Sequence, residues 1–200
     1  MKQLKSGFLA LFSVIFLLGF NISAFAAEDP TAVEESNDNS VVNAATATGG
    51  YITHLTPTEA EEYQKNLVFH DSNLIEGTIP GIIPFASTVA VSWNKLAQYD
   101  IVSAYETLTV TSKSTINITL VQWPDSLSII RDPELTYSIT GKDYQNSRII
   151  TGKYSSSNAT IQFLNVPPGE YVLSVFNGSG YTVSGNCYAK RDQGANLTID

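Results

Sequence analysis

The stretch that decides the fold alternates strictly between polar and apolar side chains: Thr115-Ile116-Asn117-Ile118-Thr119-Leu120. The same period of two recurs at residues 159–163 and 181–188. A period of two is typical of a β-strand that buries one face and exposes the other. We therefore predict that Ile116, Ile118 and Leu120 point into an apolar core.

Outward from this stretch, short β-type runs separated by turn residues continue in both directions. The turn signals include Pro167-Pro168-Gly169 and Asn177-Gly178. Eight strands are predicted, at about residues 86–93, 103–111, 115–123, 135–140, 148–151, 159–164, 171–177 and 181–189. Strands at this spacing predict a mainly β fold, an antiparallel β-sandwich of the jelly-roll or Ig-like kind that occupies residues 77–200.

The first 26 residues have the pattern of a secretory signal peptide. Two lysines precede an apolar run at residues 8–20, and Ala24-Phe25-Ala26 supplies the small side chains that a signal peptidase requires. We predict cleavage between Ala26 and Ala27. The apolar run is shorter than the roughly 20 residues that span a bilayer as a helix. We therefore expect a secreted, extracellular bacterial protein with no membrane span in the mature chain.

Charge divides the remainder of the chain. Residues 28–76 carry ten acidic side chains and one basic side chain, whereas residues 77–200 carry nine and eight. Residues 27–50 are acidic and polar with no aromatic side chain, so we predict a disordered segment. Residues 51–76 are predicted to be a linker with one short helix. Its start is Thr56-Pro57-Thr58-Glu59, which combines a capping threonine, a proline at the first helical position and a glutamate three residues on.

Composition excludes several classes of function. The chain has 11 basic and 19 acidic residues, a net charge of −8, which argues against a nucleic-acid-binding protein. Its single cysteine, Cys187, excludes an intrachain disulfide framework and a cysteine-rich zinc site. Cys187 shares a strand face with Val183, so we predict a buried, inert thiol. The alternative is an exposed thiol that pairs between molecules.

Two stretches of the chain have an order of motifs in common with a known family. The first, residues 107–121, is interpreted as an alternating hairpin, and the second, residues 161–175, joins two strands through Pro167-Pro168-Gly169. In this order they resemble the C-terminal β-sandwich modules of secreted bacterial proteins, of the pre-peptidase C-terminal type. The resemblance implies a non-catalytic accessory or binding module, and it carries over no functional residue.

Four aromatic side chains are the candidate ligand-binding residues, Trp93, Trp123, Tyr144 and Tyr154, and Tyr137 is considered with them. Aromatic faces suit sugar rings and peptides, so together they would form a stacking platform. The alternative is that Trp93 and Trp123, which end strands, pack inside the sandwich.

No motif for catalysis is found, and we predict that the chain is not an enzyme. The histidines that would act as a base are His54 and His70, both close to the predicted helix. A Gly-x-Ser-x-Gly elbow, a His-Glu-x-x-His pair and a phosphate-binding glycine loop are all missing from the sequence.

Metal binding has little support in the sequence, and we expect no cofactor. A cluster of His54, Glu59, His70 and Asp71 follows no ligand spacing that metal sites use. Carboxylates after Trp123, at Asp125, Asp132 and Glu134, leave structural calcium as an alternative to a solvated loop.

The sequence therefore predicts a secreted, non-catalytic binding or structural module that acts at the cell surface or in the medium. Its partner would be an unknown protein or a cell-surface glycan, and not a nucleic acid. One alternative is a carbohydrate-binding module. Another is a secreted toxin or bacteriocin-like effector whose acidic N-terminal segment is a removable pro-segment, because the charge changes sharply near Glu76.

Overall fold

The computed structural model describes residues 45–77, 88–126 and 131–192. The predicted signal peptide, the cleavage site between Ala26 and Ala27, and residues 27–44 of the predicted disordered segment lie outside these ranges. In the described ranges the chain forms one helix and eleven strands. They are β1 (Thr46–Thr48), β2 (Gly50–His54), α1 (Pro57–Lys65), β3 (Ser72–Glu76), β4 (Thr88–Leu96), β5 (Asp100–Val110), β6 (Ser114–Pro124), β7 (Glu134–Thr140), β8 (Gln145–Thr151), β9 (Tyr154–Val166), β10 (Gly169–Asn177) and β11 (Val183–Asp192).

The strands form two antiparallel sheets. Sheet A has the order β1-β4-β11-β6-β9-β3, and sheet B has the order β2-β5-β10-β7-β8. From β4 to β11 the chain alternates between sheets except at β7–β8, which is the order of a jelly roll. The prediction of an antiparallel β-sandwich is therefore confirmed, and the strand order selects the jelly roll rather than the Ig-like arrangement.

All eight predicted strands are present as β4 to β11, but one predicted pairing is wrong. Residues 107–121 do not form a hairpin, because β5 belongs to sheet B and β6 to sheet A. Residues 161–175 likewise pass from sheet A in β9 to sheet B in β10. Both connections are arches between the sheets. Among the described strands, the single hairpin between chain neighbours is β7–β8.

Residues 46–76, which we call the strap, belong to the sandwich, and this corrects the predicted domain boundary at residue 77. In the strap, β1 pairs with β4 at one edge of sheet A, and β2 pairs with β5 at an edge of sheet B. After α1, β3 pairs with β9 at the other edge of sheet A. The predicted linker and the last residues of the predicted disordered segment therefore provide edge strands to both sheets.

Helix α1 begins where the sequence predicts. The Thr56 hydroxyl accepts from the Glu59 backbone N–H at 3.4 Å, and the Glu59 carboxylate accepts from the Thr56 backbone N–H at 2.8 Å. The bonds that the Thr56 backbone N–H and the Thr56 hydroxyl donate to the Glu59 carboxylate hold the pKa of Glu59 below its usual value. Ala60 is buried, and the Tyr63 ring packs on Phe176 of β10 with centroids 5.1 Å apart. The helix therefore lies on the outer face of sheet B.

The core follows the predicted alternation. Ile116, Ile118 and Leu120 are buried between the sheets, and so is Cys187, as its strand phase predicts. Gln122 of β6 is a polar residue that is fully buried at an inward-facing position. Its Nε2 donates to the carbonyl oxygen of Gly152 at 2.8 Å, and its Oε1 accepts from the Tyr137 hydroxyl at 2.8 Å. Gln122 thus ties sheet A to strands β7 and β8 of sheet B.

Candidate functional site

An open cleft of about 350 Å³ lies where the strap passes the β7–β8 turn and the end of β9. Its lining residues are Phe69, His70, Asp71, Tyr144, Leu164 and Asn165. The strap is fixed here by two bonds, from the His70 N–H to Asn146 Oδ1 at 2.9 Å and from the Leu164 N–H to the Asp71 carbonyl at 3.3 Å. Three chain segments distant in sequence therefore build the cleft.

Aromatic rings stack inside the cleft. The His70 and Tyr144 rings are nearly parallel, with centroids 5.1 Å apart and an interplanar angle of 14°. Tyr144 also meets Tyr171 edge to face at 6.0 Å, and the Tyr171 hydroxyl donates to the Pro167 carbonyl at 2.7 Å. Burial raises the pKa values of both tyrosines, so both remain neutral donors at physiological pH. The stack holds His70 at the surface of the molecule.

The rim of the cleft combines one apolar and several polar side chains. Phe69 is 54% exposed, and the adjacent Val68 is 37% exposed, so apolar side chains lie open to solvent at and next to this rim. Asp71 offers carboxylate acceptors, and Asn165 offers both a donor and an acceptor. Asn165 also has a φ of 58°, in the left-handed region. Uncommon backbone conformations of this kind concentrate at ligand sites.

The four predicted ligand-binding aromatics lie in different places. Tyr144 lines the cleft. Trp93 is buried in the core with its ring 6.4 Å from that of Tyr137, so the alternative of core packing holds for it. Trp123 is partly exposed on β6, next in sequence to the inward-facing Gln122, and so lies on the outer face of sheet A. Among the described residues, no ring contact joins any two of the four.

Tyr154 is also buried, and its role is to hold the strap. Its hydroxyl donates to Glu76 Oε1 at 2.6 Å, which joins β9 to the end of β3. Burial, and then the bond to Glu76, raise the pKa of Tyr154 to about 12. A platform made of Trp93, Trp123, Tyr144 and Tyr154 is therefore not formed.

We expect the contribution of Tyr154 to stability to disappear between about pH 10 and pH 12. The unfolded tyrosine ionises near pH 10 and the folded one near pH 12, so folding favours the neutral form. The benefit is complete below pH 10 and is lost as pH rises through 12. The contribution of Tyr154 is measured as the unfolding free energy of the wild type minus that of Tyr154→Phe, from about pH 9 to pH 12. A difference that stays constant from about pH 9 to pH 12 would contradict the assignment.

The histidines and carboxylates considered for a metal cluster are separated. His54 Nδ1 lies 2.7 Å from Oδ1 of the buried Asp100, Glu59 caps α1, and His70 and Asp71 lie in the cleft. In residues 45–77, 88–126 and 131–192, no group of three or more His, Cys, Asp or Glu side chains is placed to hold a metal ion.

The carboxylates considered for calcium are likewise not assembled into a site. Asp125 Oδ1 accepts from the Ser184 hydroxyl, and its Oδ2 is buried without a partner. Glu134 is exposed, and its backbone N–H donates to Ser179 Oγ at 2.8 Å. Asp132 is exposed in the loop before β7. These residues carry no calcium proposal.

Of the six cleft residues, sequence reasoning named only Tyr144 as a ligand-binding candidate. It considered His70 as a base or metal ligand and Asp71 as a metal ligand, and it did not name Phe69, Leu164 or Asn165. One signal was available: the apolar run Leu67-Val68-Phe69 continues beyond the helix end at Lys65. The sequence favours a helix that ends near Phe69, but the helix ends at Lys65, so this run lies outside it. A phenylalanine in an extended segment at the surface is a better indicator of a contact site.

The fold and the cleft together define a jelly-roll β-sandwich with an aromatic cleft beside the β7–β8 hairpin. No protein-family model matches the chain, and no curated protein matches it either. One solved structure to which it is similar is a glycoside hydrolase family 43 arabinoxylan arabinofuranohydrolase from Bacillus subtilis in complex with cellotetraose, with 11% identity and a TM-score of 0.34. The match covers 60% of this chain and 27% of that one, so the chain spans about a quarter of the enzyme's length. In the described residues, no helix has the length and apolarity that crossing a membrane requires.

Proposed function

We propose that this chain is a non-catalytic binding module that acts outside the cell and that it binds neutral carbohydrate in the cleft. The observation that carries the proposal is the exposed Phe69 beside the stacked rings of His70 and Tyr144. Apolar ring faces pack on the C–H faces of sugars, while a few fixed polar groups bind the hydroxyls. Asp71 and Asn165 supply such groups at the rim.

The proposal of a non-catalytic module is supported by the state of the side chains that would act in catalysis. His54 is hydrogen-bonded to a buried carboxylate and His70 is stacked on Tyr144, and among the described residues neither ring is hydrogen-bonded to a serine, threonine or cysteine side chain that could act as a nucleophile. Cys187 is buried, and burial raises the pKa of its thiol, which makes it a poor nucleophile. The predicted signal peptide and the resemblance to pre-peptidase C-terminal modules support an extracellular role.

The alternative of a toxin with a removable pro-segment loses support from the strap. A cut that removed the acidic part up to Glu76 would also remove β1, β2, α1 and β3. The edges of β4, β5 and β9 would then be left without their partners. Unpaired edges of this kind promote aggregation, which is a poor property for a mature secreted protein.

We expect Phe69→Ala to weaken carbohydrate binding by about tenfold, because fully burying a phenylalanine side chain is worth roughly 1.5–3 kcal/mol and about half of this one is open to a ligand. The measurement is retardation in native gels that contain a soluble cellulose derivative, a mixed-linkage β-glucan, a xylan or a mannan. The matched control is Val68→Ala, which truncates the neighbouring, partly exposed side chain outside the cleft. Retardation of the wild type without release of new reducing ends would support a binding module. Equal retardation of Phe69→Ala and wild type would contradict the cleft as the site.

A further inference from the structure

Two tyrosines lie side by side on the outer face of sheet B, far from the cleft in the strand order. Tyr51 of β2 is 46% exposed and Tyr105 of β5 is 70% exposed. Their ring centroids are 5.7 Å apart, with the planes inclined by 36°. Two large, adjacent aromatic side chains that contact each other yet remain open to solvent are uncommon on the surface of a sandwich.

A bulge in β5 places Tyr105 at this position. Ser103 pairs with Ser174 and Thr107 with Val172, so residues 104–106 lie opposite the single residue Leu173. The Tyr105 backbone N–H donates to the Gly49 carbonyl at 3.1 Å, which fixes the bulge against the strap. Bulges re-aim side chains and are frequent beside binding sites. The exposed ring therefore stands on a rigid backbone.

The size and charge of the patch favour a sugar chain over a protein as its occupant. Each of the two tyrosine side chains can bury about 150–250 Å² of accessible surface at most, whereas a stable protein interface buries about 800 Å² on each partner. The exposed neighbours along β5 are Glu106, Thr107 and Thr109, which are polar or charged. A net charge of −8 disfavours an anionic ligand. Paired aromatic faces with hydroxyls beside them suit a neutral saccharide.

We propose that Tyr51 and Tyr105 form a second surface for neutral carbohydrate, separate from the cleft. This inference rests on the proposed function of the module. The two surfaces lie toward opposite edges of sheet B, since Tyr51 and Tyr105 are on β2 and β5 and Tyr144 is in the β7–β8 turn. At about 4.8 Å per strand, roughly 15 Å separates them across the sheet. A glycan long enough to reach both surfaces would then be held by avidity.

The test compares single-site and double-site variants in the same polysaccharide gels. Tyr51→Ser with Tyr105→Ser alters the second surface, Phe69→Ala alters the cleft, and Tyr188→Ser is the control for loss of an exposed tyrosine on sheet A. We expect the affinity of the tyrosine double variant for the polysaccharide to fall about tenfold, because both exposed ring faces are lost. Combining it with Phe69→Ala removes the remaining binding. Thermal unfolding and sedimentation of every variant check the fold and the state of association.

The outcomes separate this inference from the function on which it rests. If the tyrosine double variant binds like wild type while Phe69→Ala does not, the second surface is refuted and the cleft stands. If the reverse holds, the second surface is supported and the cleft is refuted. A wild type that binds none of the four polysaccharides refutes both. If the tyrosine substitutions change a dimer into a monomer without changing retardation, the occupant is a second copy of the chain and the inference is wrong.

Discussion

Gln122→Leu is expected to lower the free energy of unfolding by about 3–5 kcal/mol, although leucine is apolar and close to glutamine in volume. The substitution leaves the buried Tyr137 hydroxyl without its acceptor at 2.8 Å and the Gly152 carbonyl without its donor at 2.8 Å. The Nε2 group also contacts the Pro133 and Ile150 carbonyls, each at 3.3 Å. Each buried polar group left unpaired costs about 1–3 kcal/mol.

The measurement is chemical denaturation of four proteins: wild type, Gln122→Leu, Tyr137→Phe and the double variant. Removing both partners relieves the unpaired hydroxyl, so we expect a coupling energy of about 1–2 kcal/mol between the two positions. The control is Gln162→Leu on the adjacent strand, which loses one bond to Asn117 at the partly exposed outer face. We expect it to cost less than about 1 kcal/mol. A cost for Gln122→Leu no larger than that of Gln162→Leu would show that the network does not hold the sheets together.

Gly50→Ala is expected to destabilise the protein by about 3 kcal/mol and to release the strap from sheet B. A Cβ at this position would lie 2.3 Å from the Ser103 carbonyl oxygen and 2.8 Å from Val91 Cγ2. The first of these atoms is backbone of the strand with which β2 pairs, so β2 must move away to relieve the overlap. Gly49, with a φ of 75°, precedes it where the chain passes from sheet A to sheet B.

Hydrogen exchange read residue by residue checks this result. We expect the β2 amides to lose protection in Gly50→Ala, while β6 and β11 in the middle of sheet A keep theirs. The control is Gly180→Ala, where a Cβ would meet no atom within 4 Å and the stability change should stay within about 0.5 kcal/mol. Unchanged protection of β2 in Gly50→Ala would mean that the strap is not seated as described.

The strands of the jelly roll could be predicted because their signal is local. Alternation around Ile116, Ile118 and Leu120 sets the buried face within a few residues, whatever the strand later pairs with. The sequence has no comparable local signal that shows which strands pair with each other. Residues 107–121 read like a hairpin, yet their two halves enter different sheets, because the alternation of a strand does not identify its neighbour.

The three strands of the strap were not predicted from the sequence, because their stability comes from pairing with strands of the sandwich. Thr46–Thr48 is too short and too polar to indicate a strand, and its pairing with β4 supplies what the segment lacks. The cleft was missed for a related reason, since His70 and Tyr144 are far apart in sequence and meet only in the folded chain. Trp93 is different. It stands two residues after Val91 and four after Val89, so the three side chains point to the same face of the strand, and its burial could be predicted from the sequence.

Because few of the described strand pairs are hairpins, the topology also determines the order in which the strands pair during folding. Only β7–β8 joins chain neighbours among the described strands, so every other pairing must close a long loop before it gains contacts. We expect the β7–β8 ribbon to form within microseconds and the two sheets to assemble over milliseconds to seconds. The edge strands β1, β2 and β3, which come first in the chain and are made first, find their partners only after the later strands β4, β5 and β9 exist.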